Sequence, residues 1–339
     1  MTAGLYFSHP ACLEHDPRVH SPGHPDVPER LLAIEAAVGE REWPGWQRRQ
    51  APPAGEDQLE LIHSAAHVRA IAELCAAGGG AIDADTAVGE PSYRAARCAA
   101  GAACEMARAL LAGDAPVGFC AVRPSGHHAE VDRAMGFCLF NNVAIAAELA
   151  IRALGARRVF VLDWDVHHGN GTAEAYRTRA DVLFASIHQS PLYPGTGPLG
   201  DCGSGPGEGY TINLPVPAGS GEELWLSLLE HIVEPVARAF EPDLLLLSAG
   251  FDAHVGDPLA GCRLLTSSFA QMACRVRDLA VAVGAPLGVV LEGGYERQVL
   301  AECVVATLLA LGGEGEARSA SEQQLTARAA AHLGRYWQL

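Results

Sequence analysis

The sequence predicts an α/β protein, a single domain built on a mostly parallel central sheet flanked by helices. Three observations carry that prediction. Short β-branched or apolar runs alternate with longer stretches of helical periodicity, as βα repeats require. The run Leu244–Leu247 is four consecutive leucines, the continuous hydrophobicity of a strand covered on both faces. Neither a shift in composition nor an internal repeat divides the 339 residues, and a hydrophobic content of 49% with 19% charged residues is enough for a large core.

In chain order, the apolar runs place strands at Leu5–Phe7, Gly118–Val122, Val159–Leu162, Val182–Ile187, Leu244–Ser248 and Leu287–Leu291. Helical periodicity places helices at Pro28–Val38, Leu59–Cys75, Ser92–Leu111, Asn142–Leu154, Glu222–Phe240, Ser267–Val283 and Arg297–Leu311. The Gly-rich stretches Gly78–Gly80 and Gly203–Gly209 read as loops, since neither opens a strand-to-helix phosphate motif. Gly312–Ser321, rich in Gly, Ala, Ser and Glu, reads as a linker before a last helix near Gln323–His332. The expected organisation is a main domain over 1–311 and a linker with C-terminal helix over 312–339. That helix is expected to pack on its own domain, with a neighbouring subunit of a homo-oligomer as the alternative.

The balance of 24 Lys+Arg against 40 Asp+Glu, a formal charge of −16, argues against nucleic acid or an anionic membrane as partner, because long-range steering would repel both. A cationic substrate would be attracted. Every one of those 24 basic residues is arginine, which excludes Schiff-base lysine chemistry and a phosphate-loop lysine. The same bias fits a GC-rich, bacterial genome. No apolar run approaches the roughly 20 residues of a membrane helix, and Met1–Pro10 lacks a basic segment followed by a long apolar stretch, so a cytoplasmic location is expected. The ten cysteines, scattered from Cys12 to Cys303 without a C-x-x-C pair, read as small buried thiols.

In open parallel sheets ligands bind at the carboxyl ends of strands. Five of the six strands deliver polar groups there: Arg123 to His128, Asp163 to Asn170, His188, Gly250 to His254, and Glu292 to Tyr295. Asp163, Asp165 and His167 stand at i, i+2 and i+4, so in an extended segment all three face one way. A carboxylate and an imidazole so spaced can bind one metal ion, with Asp252 from a neighbouring strand as a third ligand and a position left open for water. Beside such a water, one of the adjacent imidazoles of His127 and His128 would take its proton while the other stabilises charge. Tyr295, in a Gly-Gly-Tyr turn, would set its hydroxyl against a developing oxyanion.

The stretch V-R-P-S-G-H-H-A-E-V-D-R-A-M-G-F-C-L-F-N-N-V-A-I-A-A from Val122 resembles the signature of the zinc-dependent histone deacetylase family, nearest to its class II branch. So do D-W-D-V-H-H-G-N-G-T at Asp163, Y-P-G-T-G at Tyr193, S-A-G-F-D-A-H-V-G-D-P at Ser248 and L-E-G-G-Y at Leu291. The resemblance runs from about residue 4 to 311 with the motifs in the family's order, and it implies the arginase/deacetylase fold of a histone deacetylase-like amidohydrolase. It also implies zinc, or iron in the cell, on Asp165, His167 and Asp252. His128 would be the general base and acid, His127 its electrostatic partner paired with Asp163, and Tyr295 the group polarising the acyl carbonyl. Asn170 stands opposite His128 where class I members carry aspartate. Phe137 and Tyr193, with Gly136, would wall a narrow acyl-lysine tunnel, and Asp85 would bind the substrate backbone. A structural potassium ion is implied near Asp163, Asp165, the His167 carbonyl, Ser186 and Ile187.

The expected activity is removal of acetyl or other acyl groups from the N-ε-acyl-lysine of proteins or peptides. An acetylpolyamine amidohydrolase is the alternative, although Leu259 stands where polyamine-selective vertebrate members carry an acidic gatekeeper. A catalytically silent acyl-lysine binder has no need of Asp165, His167, Asp252, His127, His128 and Tyr295 together. A two-metal ureohydrolase would need further aspartates after Asp252.

Overall fold

The computed structural model describes residues 4–43 and 45–339; Met1–Ala3, at the head of the expected main domain, and Pro44 lie outside them. The described residues form ten strands: β1 (Gly4–Ser8), β2 (Trp46–Arg49), β3 (Gly79–Ala81), β4 (Ala87–Gly89), β5 (Val117–Ala121), β6 (Val159–Asp163), β7 (Val182–Gln189), β8 (Thr211–Val216), β9 (Leu244–Ala249) and β10 (Leu287–Leu291). Eight of them make one sheet in the order β2-β1-β5-β10-β9-β6-β7-β8, with every neighbouring pair parallel. This is the predicted α/β class. The last two strands of the sheet in sequence, β9 and β10, are inserted between β5 and β6, which brings together loops as far apart as Arg123 and Tyr295.

The central strands are buried throughout, as their unbroken apolar sequences require. Helix Ser92–Leu111 approaches the sheet closely through buried Ala95, Ala99, Ala102, Ala103 and Ala107. Its Met106 side chain fills the space where a Cβ on Gly118 or Gly288 would stand.

Four expectations are corrected. The edge strands β2 and β8 were not anticipated. W-Q-R-R of β2 has little apolar signal because one side faces solvent, and Pro215 interrupts β8, which an edge tolerates. Gly79–Ala81 is not loop but strand β3, paired antiparallel with β4 in a hairpin. The helix expected over Leu59–Cys75 is two, Glu56–Leu59 and Ala65–Ala76, because the Ser64 hydroxyl accepts the His67 N–H at 3.2 Å and caps a new start. The helical run Glu222–Phe240 contains a π turn at Leu229–Val233.

The C-terminal segment is bonded to the rest of the described residues along its length. Arg275 donates to the Arg318 carbonyl (2.7 Å), the Ser227 hydroxyl accepts the Gln323 N–H (3.1 Å), and Trp337 Nε1 donates to the Gly209 carbonyl (2.8 Å).

Candidate active site

The site lies at the carboxyl ends of β5, β10, β9, β6 and β7. The register sets Asp163, the last residue of β6, between Ser186 of β7 and Ser248 of β9. Past Asp163 the chain leaves the strand. The Asp163 carboxylate accepts the Asp165 N–H at 3.0 Å, and the Asp165 carboxylate accepts the His167 N–H at 2.8 Å. These successive side-chain turns curl the backbone. The expected common face of Asp163, Asp165 and His167 is therefore not formed: Asp163 turns to His127, whereas Asp165 and His167 turn to Asp252.

Asp165, His167 and Asp252 are buried, and one ligand atom from each lies within 4.8 Å of the other two. His167 Nδ1 is 3.0 Å from Asp165 Oδ1 and 3.2 Å from Asp252 Oδ2. The remaining oxygens are fixed from behind, Asp165 Oδ2 by the Gly293 N–H (2.8 Å) and Asp252 Oδ1 by the Val166 N–H (3.0 Å). Glycine is needed around them: a Cβ at Gly250 would fall on the Asp165 carboxylate, and one at Gly293 on that of Asp252. Burial disfavours a proton on His167, yet the two carboxylates outweigh it and push its pKa up to about 10. A site that concentrates negative charge on one imidazole nitrogen fits a divalent cation, and two carboxylates with one imidazole are a suitable donor set.

His127 and His128 stand beside this trio with ring centroids 3.9 Å apart. His127 Nδ1–H donates to Asp163 at 3.0 Å. Burial opposes its charge, but Asp163 and then Asp165 raise its pKa to about 10, so His127 is a buried imidazolium. His128 Nδ1–H instead donates to the Asn170 oxygen at 2.8 Å. Burial first, then charged His127 and His167, hold its pKa well below the usual histidine value, so it stays neutral. The main chain of the pair is gripped by Glu292, whose carboxylate accepts the N–H groups of Gly126 (2.7 Å) and His127 (3.3 Å) and the Ser248 hydroxyl (3.1 Å). His127, Cys138 and Glu292 also lie within ligand distance of one another. Their hydrogen bonds already satisfy His127 Nδ1 and both Glu292 oxygens, so that group needs no ion.

Above the trio a cavity of about 230 Å³ is lined by Asp85, His128, Gly136, Phe137, His167, Leu192, Tyr193, Leu259 and Tyr295. Seven of these nine are wall or reaction residues named from sequence, His167 is a named ligand, and only Leu192 was not anticipated. The Tyr193 ring stands edge-on to His128 at 5.2 Å. Phe137 has φ of 67°, a left-handed conformation that costs about 1–3 kcal/mol outside glycine. The turn joining β3 to β4 holds it there. The Asp85 carboxylate accepts the Gly136 N–H (3.3 Å) and Thr86 Oγ1 accepts the Phe137 N–H (3.2 Å).

Tyr295 forms the opposite wall, with its ring 5.7 Å from that of Phe137 at 83°. Burial raises its hydroxyl pKa well above the ordinary value, so it remains a hydrogen-bond donor. The Arg30 guanidinium lies 4.9 Å from the Tyr295 ring centroid and donates to the carbonyls of Glu292 and Gly294, both at 2.6 Å. Arg30, Glu292 and Asp257 were given no role from sequence. Each acts on backbone groups distant in the chain, a relation that leaves no periodic trace.

A cavity with aromatic walls over a buried carboxylate–imidazole trio, with a charged and a neutral histidine alongside, is an arrangement suited to metal-assisted hydrolysis. Residues 24–311 match the Histone deacetylase domain, and the chain belongs to the histone deacetylase family. It is 42% identical over 269 residues to the histone deacetylase-like amidohydrolase of Pseudomonas aeruginosa, covering 79% of this chain and 71% of that protein. It is 39% identical over 308 residues to histone deacetylase 15 of Arabidopsis thaliana, covering 89% of this chain but 55% of that longer protein. The crystal structure of the HDA15 HD domain superposes with a TM-score of 0.92 at 36% identity, covering 98% of this chain and 95% of that one. The protein is thus a hydrolase of the deacetylase class. No helix among the described residues is long and apolar enough to cross a membrane.

Proposed function

We propose that the protein is a zinc-dependent amidohydrolase that removes acyl groups from N-ε-acyl-lysine of proteins or peptides. The observation that carries this reading is the placement of the buried Asp165, His167 and Asp252 trio at the end of a cavity walled by Phe137 and Tyr193. A cavity of about 230 Å³ lined by aromatic rings suits a linear side chain entering acyl group first. Asp165, His167 and Asp252 would hold a zinc ion, which would supply Lewis-acid polarisation of the acyl carbonyl and a water of lowered pKa.

The protein's own groups handle the protons. Neutral His128, its Nδ1–H held by Asn170, presents Nε2 as the general base and then returns the proton to the departing amine. His127, kept charged by Asp163, offsets the negative charge that builds as the carbonyl is attacked. Tyr295 donates its hydroxyl hydrogen to the same oxygen. Leu192 and Leu259 exclude water around the acyl-bearing chain, and the Asp85 carboxylate at the mouth accepts from substrate N–H groups. A potassium ion near Asp163, Asp165, the His167 carbonyl, Ser186 and Ile187, and a cytoplasmic location, belong to the same proposal.

The formal charge of −16, with Asp85 at the cavity, favours a small acylated polyamine as the second reading. The deciding experiment is turnover of metal-analysed protein on an acetyl-lysine peptide, a longer-acyl lysine peptide and acetylputrescine, with a chelator and a hydroxamate as controls. Peptide turnover abolished by both controls is the expected result. Turnover confined to acetylputrescine would reassign the substrate, and none on any of the three would leave an acyl-lysine binder.

A further inference from the structure

We infer that Asp257 is a positioning residue for Tyr295, fixing where the phenol meets the acyl carbonyl; this rests on the role given to Tyr295 above. Asp257 lies five residues beyond Asp252, in the loop after β9, and is buried. Its carboxylate bridges to the loop after β10. Oδ2 accepts the Tyr295 N–H at 2.6 Å and the Glu296 N–H at 3.4 Å, while Oδ1 accepts the Leu259 N–H at 3.0 Å. Its own N–H donates to the His254 carbonyl at 2.9 Å, which anchors the residue that does the holding.

Among the described residues no arginine or histidine pairs with this carboxylate, so backbone N–H groups alone compensate its burial. A buried carboxylate without a cation is costly and persists where its geometry is needed. The need is visible in the turn it holds. Tyr295 follows Gly293 and Gly294, the latter at φ 118°, so the chain entering the tyrosine has little stiffness of its own. Arg30 and Phe137 touch the ring, but only Asp257 is bonded to the Tyr295 backbone N–H. The same carboxylate holds Leu259, so the tyrosine and one wall of the cavity share a single anchor.

Chemistry makes the assignment selective. Both oxygens face N–H donors, and an amide in that place would turn its NH₂ against one of them. D257N therefore keeps the volume and loses half of the anchor, while D257E keeps the charge and moves the acceptor by one methylene.

The test is a cycle of wild type, D257N, Y295F and the D257N/Y295F double variant in the full-length, zinc-loaded protein. A trifluoroacetyl-lysine peptide is the substrate, because its activated carbonyl keeps residual turnover measurable, and zinc stoichiometry and melting temperature are recorded for each variant. With zinc retained, D257N should lower kcat on the order of 10- to 100-fold, as displacement of a reacting group by about 1 Å does. In the Y295F background the same substitution should lower kcat less than about twofold, since no hydroxyl remains to be misplaced. An equal loss in both backgrounds, an unchanged kcat, or a loss that follows zinc release would overturn the inference. Should D257N fail to fold, D257E is read through the same cycle, and failure of both would assign Asp257 to stability instead. Wild-type turnover by Y295F would sink the parent reading itself, a result distinct from all of these.

Discussion

His128 donates its Nδ1–H to the Asn170 side-chain oxygen at 2.8 Å, whereas His127, in van der Waals contact with it, faces the Asp163 carboxylate at 3.0 Å. The Asn170 amide is oriented by its own NH₂, which donates to Glu130 at 2.8 Å. A neutral partner leaves His128 unprotonated beside a charged neighbour, and that difference makes one ring a base and the other a cation. Asn170→Asp should erase it. A carboxylate within hydrogen-bond reach raises a histidine pKa by about 1–3 units. His128 acts as a base only when neutral, so the acid limb of kcat/KM should move to higher pH by a comparable amount. A pH–rate profile carried from pH 9 down to about pH 4 on zinc-loaded protein should bring an acid limb into range in Asn170→Asp at a pH where wild type still turns over fully. Coincident profiles over that range would remove His128 as the titrating group.

The glycines behind the trio give a second prediction. A side chain at Gly250 would displace the Asp165 carboxylate, and one at Gly293 that of Asp252, without touching any ligand chemically. Gly250→Ala and Gly293→Ala should each weaken zinc retention about 10- to 100-fold, the range for groups that orient ligands, and Asp252→Ala should abolish it. Dialysis against graded chelator followed by metal analysis measures the effect. Stoichiometric zinc in Gly293→Ala at wild-type chelator resistance would show that the cradle yields.

How much of this was legible in the sequence follows from where each residue's signal resides. The strands β5, β6, β7, β9 and β10 are buried on both faces, so their apolar runs announce them and the polar residues that follow mark the site end of the sheet. The edge strand β2 is exposed along Gln47 and Arg48, and β8, though buried, mixes Thr211, Asn213 and Pro215 among its apolar residues, so neither gives such a run. Spacing alone misdirected Asp163, because alternation holds only while the chain stays extended, and the chain curls once that carboxylate captures the Asp165 N–H. Arg30 and Glu292 were invisible for another reason. At the site they bond to backbone atoms, the Glu292 and Gly294 carbonyls and the Gly126 and His127 N–H groups, which every residue possesses, and the one side-chain pair of Arg30, with Asp26, lies away from the strand-end motifs.

The buried neutral histidines weaken the fold toward acid. Burial lowers the pKa of His15 to about 3, and of His63 and His188 to about 4. In the unfolded chain each protonates near 6.5. Between pH 6.5 and about 4 each of these three binds a proton in the unfolded chain and not in the fold, so its contribution to stability falls as pH falls, against the opposite contribution of Glu292 and Asp257, whose carboxyls burial raises to about 7. At pH values above 6.5 none of the three contributes to the slope. Each fully shifted histidine adds about 1.4 kcal/mol of loss per pH unit in that window. His127 and His167, raised to about 10, favour the folded state as pH falls toward 6.5, so the buried neutral histidines are read by difference: His188→Gln should reduce the decline of the urea midpoint between pH 6.5 and 4.5 by about one proton relative to wild type. An unchanged decline would mean that this imidazole charges within the fold.

Asp26 ties the fold to the chemistry. One of its oxygens accepts from Arg30 and Arg123, both at 2.6 Å, and its carbonyl accepts a second Arg123 donor at 2.7 Å. All three side chains are buried. Burial opposes the Asp26 charge, and the two guanidinium groups overcome it, holding the carboxyl below its usual range. Asp26→Ala would leave two buried cations without their anion, a change that costs about 3–5 kcal/mol when one partner of a buried pair is removed. The loss should appear as a lowered urea midpoint. Turnover per folded molecule should fall as well, because Arg30 would lose the partner that directs it over Tyr295 and onto the Gly294 carbonyl. A variant that loses stability but keeps wild-type kcat would separate the two roles and leave Arg30 positioned by its carbonyl partners alone.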